Sequence, residues 1–394
     1  PAMPPRPSVF TPATVRAILT AALLATALAA SAQIRDGLAV QAGREDKLKK
    51  RGAKEYYSER WDLSDLPAYV PQQKVSGTIR QIGSNYFEDG NLNALWEEGF
   101  KQHHPDVVFE KDLRTALAAI PALTFGLADL APCRHITNDE SLFFQRYKSR
   151  HPIEIAAVTG SYNVPGWSYA TAILVHKDNP LAQLSIEQLD GIFGAERSGA
   201  FIGTTWETSV ARGPEKNIRT WGQLGLKGAW ADKPINVYGY NLRYHIPLTF
   251  AAHVMQGSAK WNERLIEFTN YKNADGTTEL QAKQIADALG KDPYGIGYST
   301  VAFLTPDTKA LAVAPRGGGP AVALDLQSLR SRRYPLYDEV YFYLDREPGQ
   351  PIDPKVREFL RYILSREGQD AVQRNAKYLP LPAHVARAQL KKLE

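Results

Sequence analysis

Apolar and polar residues follow two rhythms along this chain. Thr78-Ile79-Arg80-Gln81-Ile82 reads as a short strand, stopped by Gly83-Ser84-Asn85. Leu92, Leu95, Trp96 and Phe100 then recur near helical spacing, which predicts a helix with one buried face. His103-His104-Pro105-Asp106 ends it, and Val107-Val108-Phe109 begins the next strand. The alternation returns with strands at Ile155–Val158 and Ala172–Val175, and with helices at Ser185–Phe193, Pro247–Met255 and Glu279–Leu289. Towards the end Asp353 caps a helix with Pro354 at its first position, and Val356, Phe359, Leu360, Ile363 and Leu364 form its apolar stripe. Strands alternating with helices imply an α/β architecture with mostly parallel sheets. No internal repeat of fixed period is visible.

The first residues break this rhythm. Arg16 precedes an apolar run from Ala17 to Ala30, which ends in the small-residue box Ala30-Ser31-Ala32. A positive flank, a short apolar core and such a box predict a secretory signal peptide over 1–32. About 14 apolar residues are too few to span ~30 Å of hydrocarbon comfortably, which argues against an anchor. Export makes a cytosolic ATP-driven or nicotinamide-dependent enzyme a poor fit. Residues 33–74 are charged and contain Pro67 and Pro71, so they read as a tail or linker outside the main fold.

Composition adds bounds. At 394 residues the chain is large enough for two domains or one bilobal unit. Its 47 basic and 42 acidic residues leave a net charge of +5, too mild and interspersed to argue for nucleic acid. The single cysteine, Cys133, has no internal disulfide partner, and no Cys/His spacing of zinc type occurs. Gly-x-Ser-x-Gly, His-Glu-x-x-His and a phosphate loop ending in Gly-Lys-Ser/Thr are all absent. His103, His104 and Asp106 fit solvated capping better than a metal trio, and Cys133 beside Arg134 reads as a buried, inert thiol.

Two segments suggest binding chemistry. Gly83-Ser84-Asn85-Tyr86 lies between a strand and a helix, where backbone N–H groups and the helix dipole favour an anion; a plain turn and cap would need the same residues. Gly126 to Arg134 places Asp129 in an apolar run a few residues from an arginine. The two side chains either pair with each other or a turn, or Asp129 accepts a proton-bearing oxyanion and repels a fully ionised one.

In these stretches the chain resembles the phosphate-binding component of ABC importers, the PstS-like branch of type II periplasmic binding proteins. The resemblance runs from about Val75 to Leu381. It is carried by Gly83-Ser84-Asn85 with Leu95-Trp96, by Gly126–Arg134 with Thr137 and Glu140, and by Val175–Leu181 running into Leu189–Phe193. Thr220–Gly225, Gly295-Ile296-Gly297-Tyr298, Tyr334-Pro335-Leu336, Leu364–Gln369 and Tyr378–Leu381 complete it in order. It implies two α/β lobes with mixed sheets, joined by two crossing strands, with a ligand clamped between them and neither catalysis nor a cofactor. Lobe 1 would hold 75–170 and 299–385, lobe 2 would hold 171–298, and 386–394 would be a tail. Carried over by position, the anion loop matches Gly83, Ser84, Asn85 and Tyr86, the acidic ligand matches Asp129, and Thr115 keeps a hydroxyl near a second loop. The other lobe departs from the family: Tyr240 stands where an Arg is expected, and Tyr244-His245-Ile246 replaces Ser-Gly-Thr. Arg243, Tyr244 and His245 are the candidate substitutes, His245 as a cation if protonated, or else they pack or face solvent.

The expectation is an exported, monomeric, periplasmic or secreted receptor for inorganic phosphate or a similar oxyanion, serving ABC permease subunits and binding no nucleic acid. A divergent scaffold with a different ligand or none is the alternative. A secreted phosphoesterase lacks any nucleophile–base or two-metal pattern.

Overall fold

The architecture, taken from a computed structural model, is described for residues 56–164, 168–275 and 277–394. The expected signal peptide and residues 33–55 lie outside them. Lobe 1 begins with strand β1 (Gly77–Ile82), which runs parallel to β2 (Val107–Asp112) in the register Gly77 to Val107 through Ile82 to Asp112. The Leu92–Lys101 helix connects them, burying Leu92, Trp96 and Phe100. On the other flank of β1, Gln81 bridges to Leu130, at the entry to β3 (Ala131–Cys133). β4 (Ile153–Thr159) completes the first half of this lobe.

Lobe 2 is a five-stranded sheet. Its strands are β5 (Ala172–His176), β6 (Asn236–Tyr240), β7 (Ile266–Phe268), β8 (Gly295–Ser299) and β9 (Thr308–Ala310), in spatial order β7-β6-β8-β5-β9. β6 is parallel to β7 and β8, whereas β5 is antiparallel to β8 and β9. The chain then returns to lobe 1 as β10 (Glu339–Leu344), which lies antiparallel between β3 and β4. The sheets are therefore mixed rather than mostly parallel. They moreover move the expected lobe boundary: β9 and the strand Ala312–Ala314, paired with Gln183–Ser185, keep residues after 299 in lobe 2. Among the described residues, the chain passes between the lobes around 160–164 and 168–171, and again along the stretch leading to Glu339.

Helices form where the pattern places them. Ser185 and Gln188 cap Ile186–Phe193 reciprocally. Asp353 caps Pro354–Ile363 by accepting from Lys355 N–H, and Val356, Phe359, Leu360 and Ile363 are buried.

Two expectations about the ends need correction. Tyr57, Leu63, Leu66 and Tyr69 are buried in the same hydrophobic core as Trp96 and Phe359, so 56–74 belongs to the fold and is no external linker. Its charges misled the reading, because the apolar anchors are widely spaced between them. Residues 386–394 are likewise no loose tail: the helix Ala383–Lys391 covers most of them, and Ala386 and Leu393 are buried. His104, expected in a solvated cap, is buried, with Nε2 2.8 Å from the Tyr69 hydroxyl and Nδ1 accepting from Val75 N–H.

Candidate functional site between the lobes

On the lobe 1 side the site is built by the turn that follows β1. Gly83 is needed there because a Cβ would sit 2.3 Å from the Pro132 carbonyl oxygen. Gly83 N–H donates to Asp112 O at 3.1 Å and Ser84 N–H to Pro132 O at 2.7 Å. Those two amides, expected to hold an anion, are thus consumed in tying the loop to β2 and β3. The buried Ser84 hydroxyl accepts from Tyr86 N–H at 3.3 Å. Asn85 turns its amide group onto Asp89, and its own N–H has no partner among the described residues. Thr115 is exposed; its N–H donates to Gly83 O, and its hydroxyl caps Leu117 N–H, the start of a short helical run.

Asp129 does not join this group. Its carboxylate forms a two-pronged pair with Arg80 (2.7 and 3.2 Å) and also accepts from Arg80 N–H at 2.8 Å. It lies beside the middle of β1, whereas the Gly83 turn lies at the end of that strand, beside Pro132. The Arg80 charge and hydrogen bonds, working against burial, hold the Asp129 carboxyl below its ordinary range. The charge that does act on the turn is Arg134, one step past β3, which bears electrostatically on Tyr86. Its guanidinium is buried and paired with Glu140 at 2.8 and 3.0 Å. The two segment residues first considered as mutual partners, Asp129 and Arg134, thus serve opposite ends of β3. Cys133 is buried and pushed up to about 12, an inert thiol.

On the lobe 2 side the decisive element is the His245–Val254 helix. Phe250 stacks on Tyr298 with ring centroids 4.2 Å apart and an interplanar angle of 16°, which anchors the helix on the sheet. Tyr244 precedes it without a side-chain cap, so its leading amides are left to another acceptor. Across the gap, the Tyr86 hydroxyl lies 3.4 Å from His245 Nε2. Burial, reinforced by the Arg134 charge, pushes His245 down to about 4. The expected imidazolium is therefore a neutral ring, and it serves as a hydrogen-bonding partner rather than a cation. Arg243 is exposed, and the Tyr244 hydroxyl accepts from Asn270 N–H at 3.2 Å, so of the three candidate substitutes only His245 faces lobe 1.

The PBP superfamily domain model matches residues 70–367. The phosphate-binding protein PstS of Pseudomonas aeruginosa, from strains PAO1 and UCBPP-PA14, is 31% identical over 328 residues, which cover 83% of this chain and 90% of that protein. The chain belongs to the PBP superfamily, in the PstS branch. Among solved structures, PstS from Borrelia burgdorferi aligns with 79% of this chain and 100% of that one at 14% identity and a TM-score of 0.48. An ABC-type phosphate transport receptor from Vibrio cholerae aligns over 77% and 100% at 15% identity, with a TM-score of 0.47.

Tyr240, at which the sequence reading expected an arginine, is packed into lobe 2. It is fully buried, with its hydroxyl 2.9 Å from that of Tyr169 and 3.4 Å from Ser299 Oγ, and burial pushes its phenol up to about 12. A neutral, packed ring thus stands where the resemblance led an arginine to be expected. One helical turn on from His245 the lobes flank a partly open pocket of about 240 Å³. Thr249 and His253 line it from the lobe 2 helix, and His135, Asp338 and Tyr341 from the other side. Asp338 is the acid that sequence reasoning missed. It sits on a crossing segment, wholly outside any anion-loop pattern, and burial pushes its carboxyl up to about 6. His135 follows Arg134 directly and was passed over because the neighbouring arginine carried the motif. Among the described residues no group of three or more metal-ligating side chains occurs, and no helix is long and apolar enough to cross a membrane.

Proposed function

We propose that this chain is a non-enzymatic receptor that captures phosphate or a related oxyanion between its lobes and hands it to an ABC permease. It would act as a monomer outside the cytoplasm, in the periplasm or secreted. The observation that carries the reading is the opposition of the Ser84–Tyr86 turn and the uncapped N-terminus of the His245–Val254 helix across 3.4 Å at Tyr86 and His245. A helix start with unclaimed amides favours an anion, and the nearby Arg134 adds positive potential even while paired with Glu140. The identity to PstS over most of both chains supports the same ligand class.

Calorimetry at neutral pH with phosphate, arsenate, sulfate, tungstate and a phosphate ester tests it. Saturable binding of at least one is expected, with Ser84→Ala weakening it about tenfold through the loss of one hydroxyl. No heat with any of them would overturn the reading. A second reading, a scaffold without small ligand, draws on Tyr240 filling the arginine position with an already satisfied phenol. Silence in calorimetry together with unchanged thermal stability in all five anions would favour it.

A further inference from the structure

Resting on the receptor reading above, we propose that the bound phosphate or phosphonate group is one end of a zwitterion, whose ammonium end occupies the interlobe cavity against Asp338. Size is the first argument. At about 240 Å³ the pocket exceeds the ~150 Å³ that suffices for a benzene molecule, so it has room for an aminoalkyl end in addition to an anion held at the helix start.

Charge is the second. Asp338 lines the cavity, is only 8% exposed, and accepts from Glu339 N–H at 2.9 Å. Among the described residues no lysine or arginine pairs with it. A buried carboxylate without a counter-cation is costly, and an incoming ammonium removes that cost. The other lining charges do not compete for it. Glu339 is neutralised by Arg332 at 2.7 Å, and Arg332 is itself held over the Tyr337 ring at 4.2 Å. His135 is paired with Glu154 at 3.1 Å, and burial keeps His253 neutral near pH 7 by pushing it down to about 4. An anionic group entering here meets the Asp338 carboxylate, whose nearest cationic influence is His135, itself shared with Glu154. An ammonium meets Asp338 and the Tyr341 ring, the Tyr337 ring being taken by Arg332.

Reach is the third. His245, Thr249 and His253 recur every four residues on one face of the lobe 2 helix. At about 1.5 Å rise per residue the cavity-lining pair lies about 6–12 Å along from the helix start where the anion would sit. A short flexible linker spans that distance. The packed, neutral Tyr240 fits as well, since a zwitterion needs less positive charge from the protein than a free dianion.

The test is a calorimetric series on the full chain. The probes are orthophosphate, ω-aminoalkyl phosphates with linkers of two to six carbons, and alkyl phosphates of the same lengths without the amine. The expected result is that one aminoalkyl phosphate binds at least tenfold tighter than its alkyl counterpart. Asp338→Asn abolishes that margin while leaving alkyl phosphate binding within about twofold. Equal affinities for the amine and alkyl members at every length, or a margin that survives Asp338→Asn, would overturn the proposal. The amine-to-alkyl comparison is made on the wild-type chain, so it decides the matter even if the variant fails to fold. Phosphate binding without amine preference would refute this inference and leave the receptor reading intact, whereas no binding by any phosphate would refute both.

Discussion

Acidification should weaken this fold through two histidines that sit between the lobes. His245 and His253 are both held down to about 4 from an ordinary 6.5. Burial is the main cause for each; Arg134 adds repulsion at His245, and His135 and Arg332 add it at His253. Above pH 6.5 the rings are neutral in folded and unfolded chains alike. Below it the unfolded chain takes up protons that the folded chain refuses, so stability falls from about pH 6.5 until the folded rings protonate near 4. At pH 5 the loss is about 2 kcal/mol for each ring, or about 4 kcal/mol together. Asp338 works the other way, because its raised carboxyl takes up a proton in the folded chain first. It is present in every variant compared, so it cancels. Urea unfolding at pH 7.5 and pH 5 of the wild type and of the double variant His245→Gln, His253→Gln isolates the histidine part. The variant should lose about 4 kcal/mol less than the wild type on going to pH 5. Equal losses in the two proteins would refute the argument that these partly buried rings stay neutral in the folded chain.

Three further outcomes follow from the geometry. Asp129→Asn should leave anion affinity unchanged and lower stability by only about 1 kcal/mol, because its partner Arg80 is 41% exposed; a large drop in affinity measured by calorimetry would return Asp129 to the site. Arg134→Gln strands the largely buried Glu140 and should cost about 3 kcal/mol in urea unfolding, and adding Glu140→Gln should recover most of it. Gly83→Ala forces a Cβ to within 2.3 Å of Pro132 O, so the turn must move. It should weaken anion binding at least tenfold at an unchanged far-UV circular dichroism spectrum.

Much of the scaffold was legible because local signals agree with tertiary burial. The stripe Val356, Phe359, Leu360 and Ile363, with Asp353 and Pro354 at its head, leaves only one sensible helix. The segment 56–74 was misread because Tyr57, Leu63, Leu66 and Tyr69 follow no period; they are single anchors of an extended strap. Within the site, the Gly83 turn was found, since only glycine fits beside Pro132, but the fate of its amides depends on carbonyls far along the chain. Asp129 looked like a ligand because a carboxylate in an apolar run demands a partner; nothing local reveals that Arg80, 49 residues away, supplies it. Asp338 was invisible for the opposite reason. Its significance comes from being enclosed by two lobes, and no local pattern encodes that enclosure.

The central claim is that a single anion lies between the Ser84 turn and the start of the His245–Val254 helix. A crystal structure grown with tungstate, the metal located by its anomalous signal, tests this most directly. The account predicts one tungsten peak between the lobes, within hydrogen-bonding distance of the Ser84 hydroxyl and the leading amides of that helix. A peak beside Asp129 and Arg80, or an empty interlobe space at saturating tungstate, would contradict it.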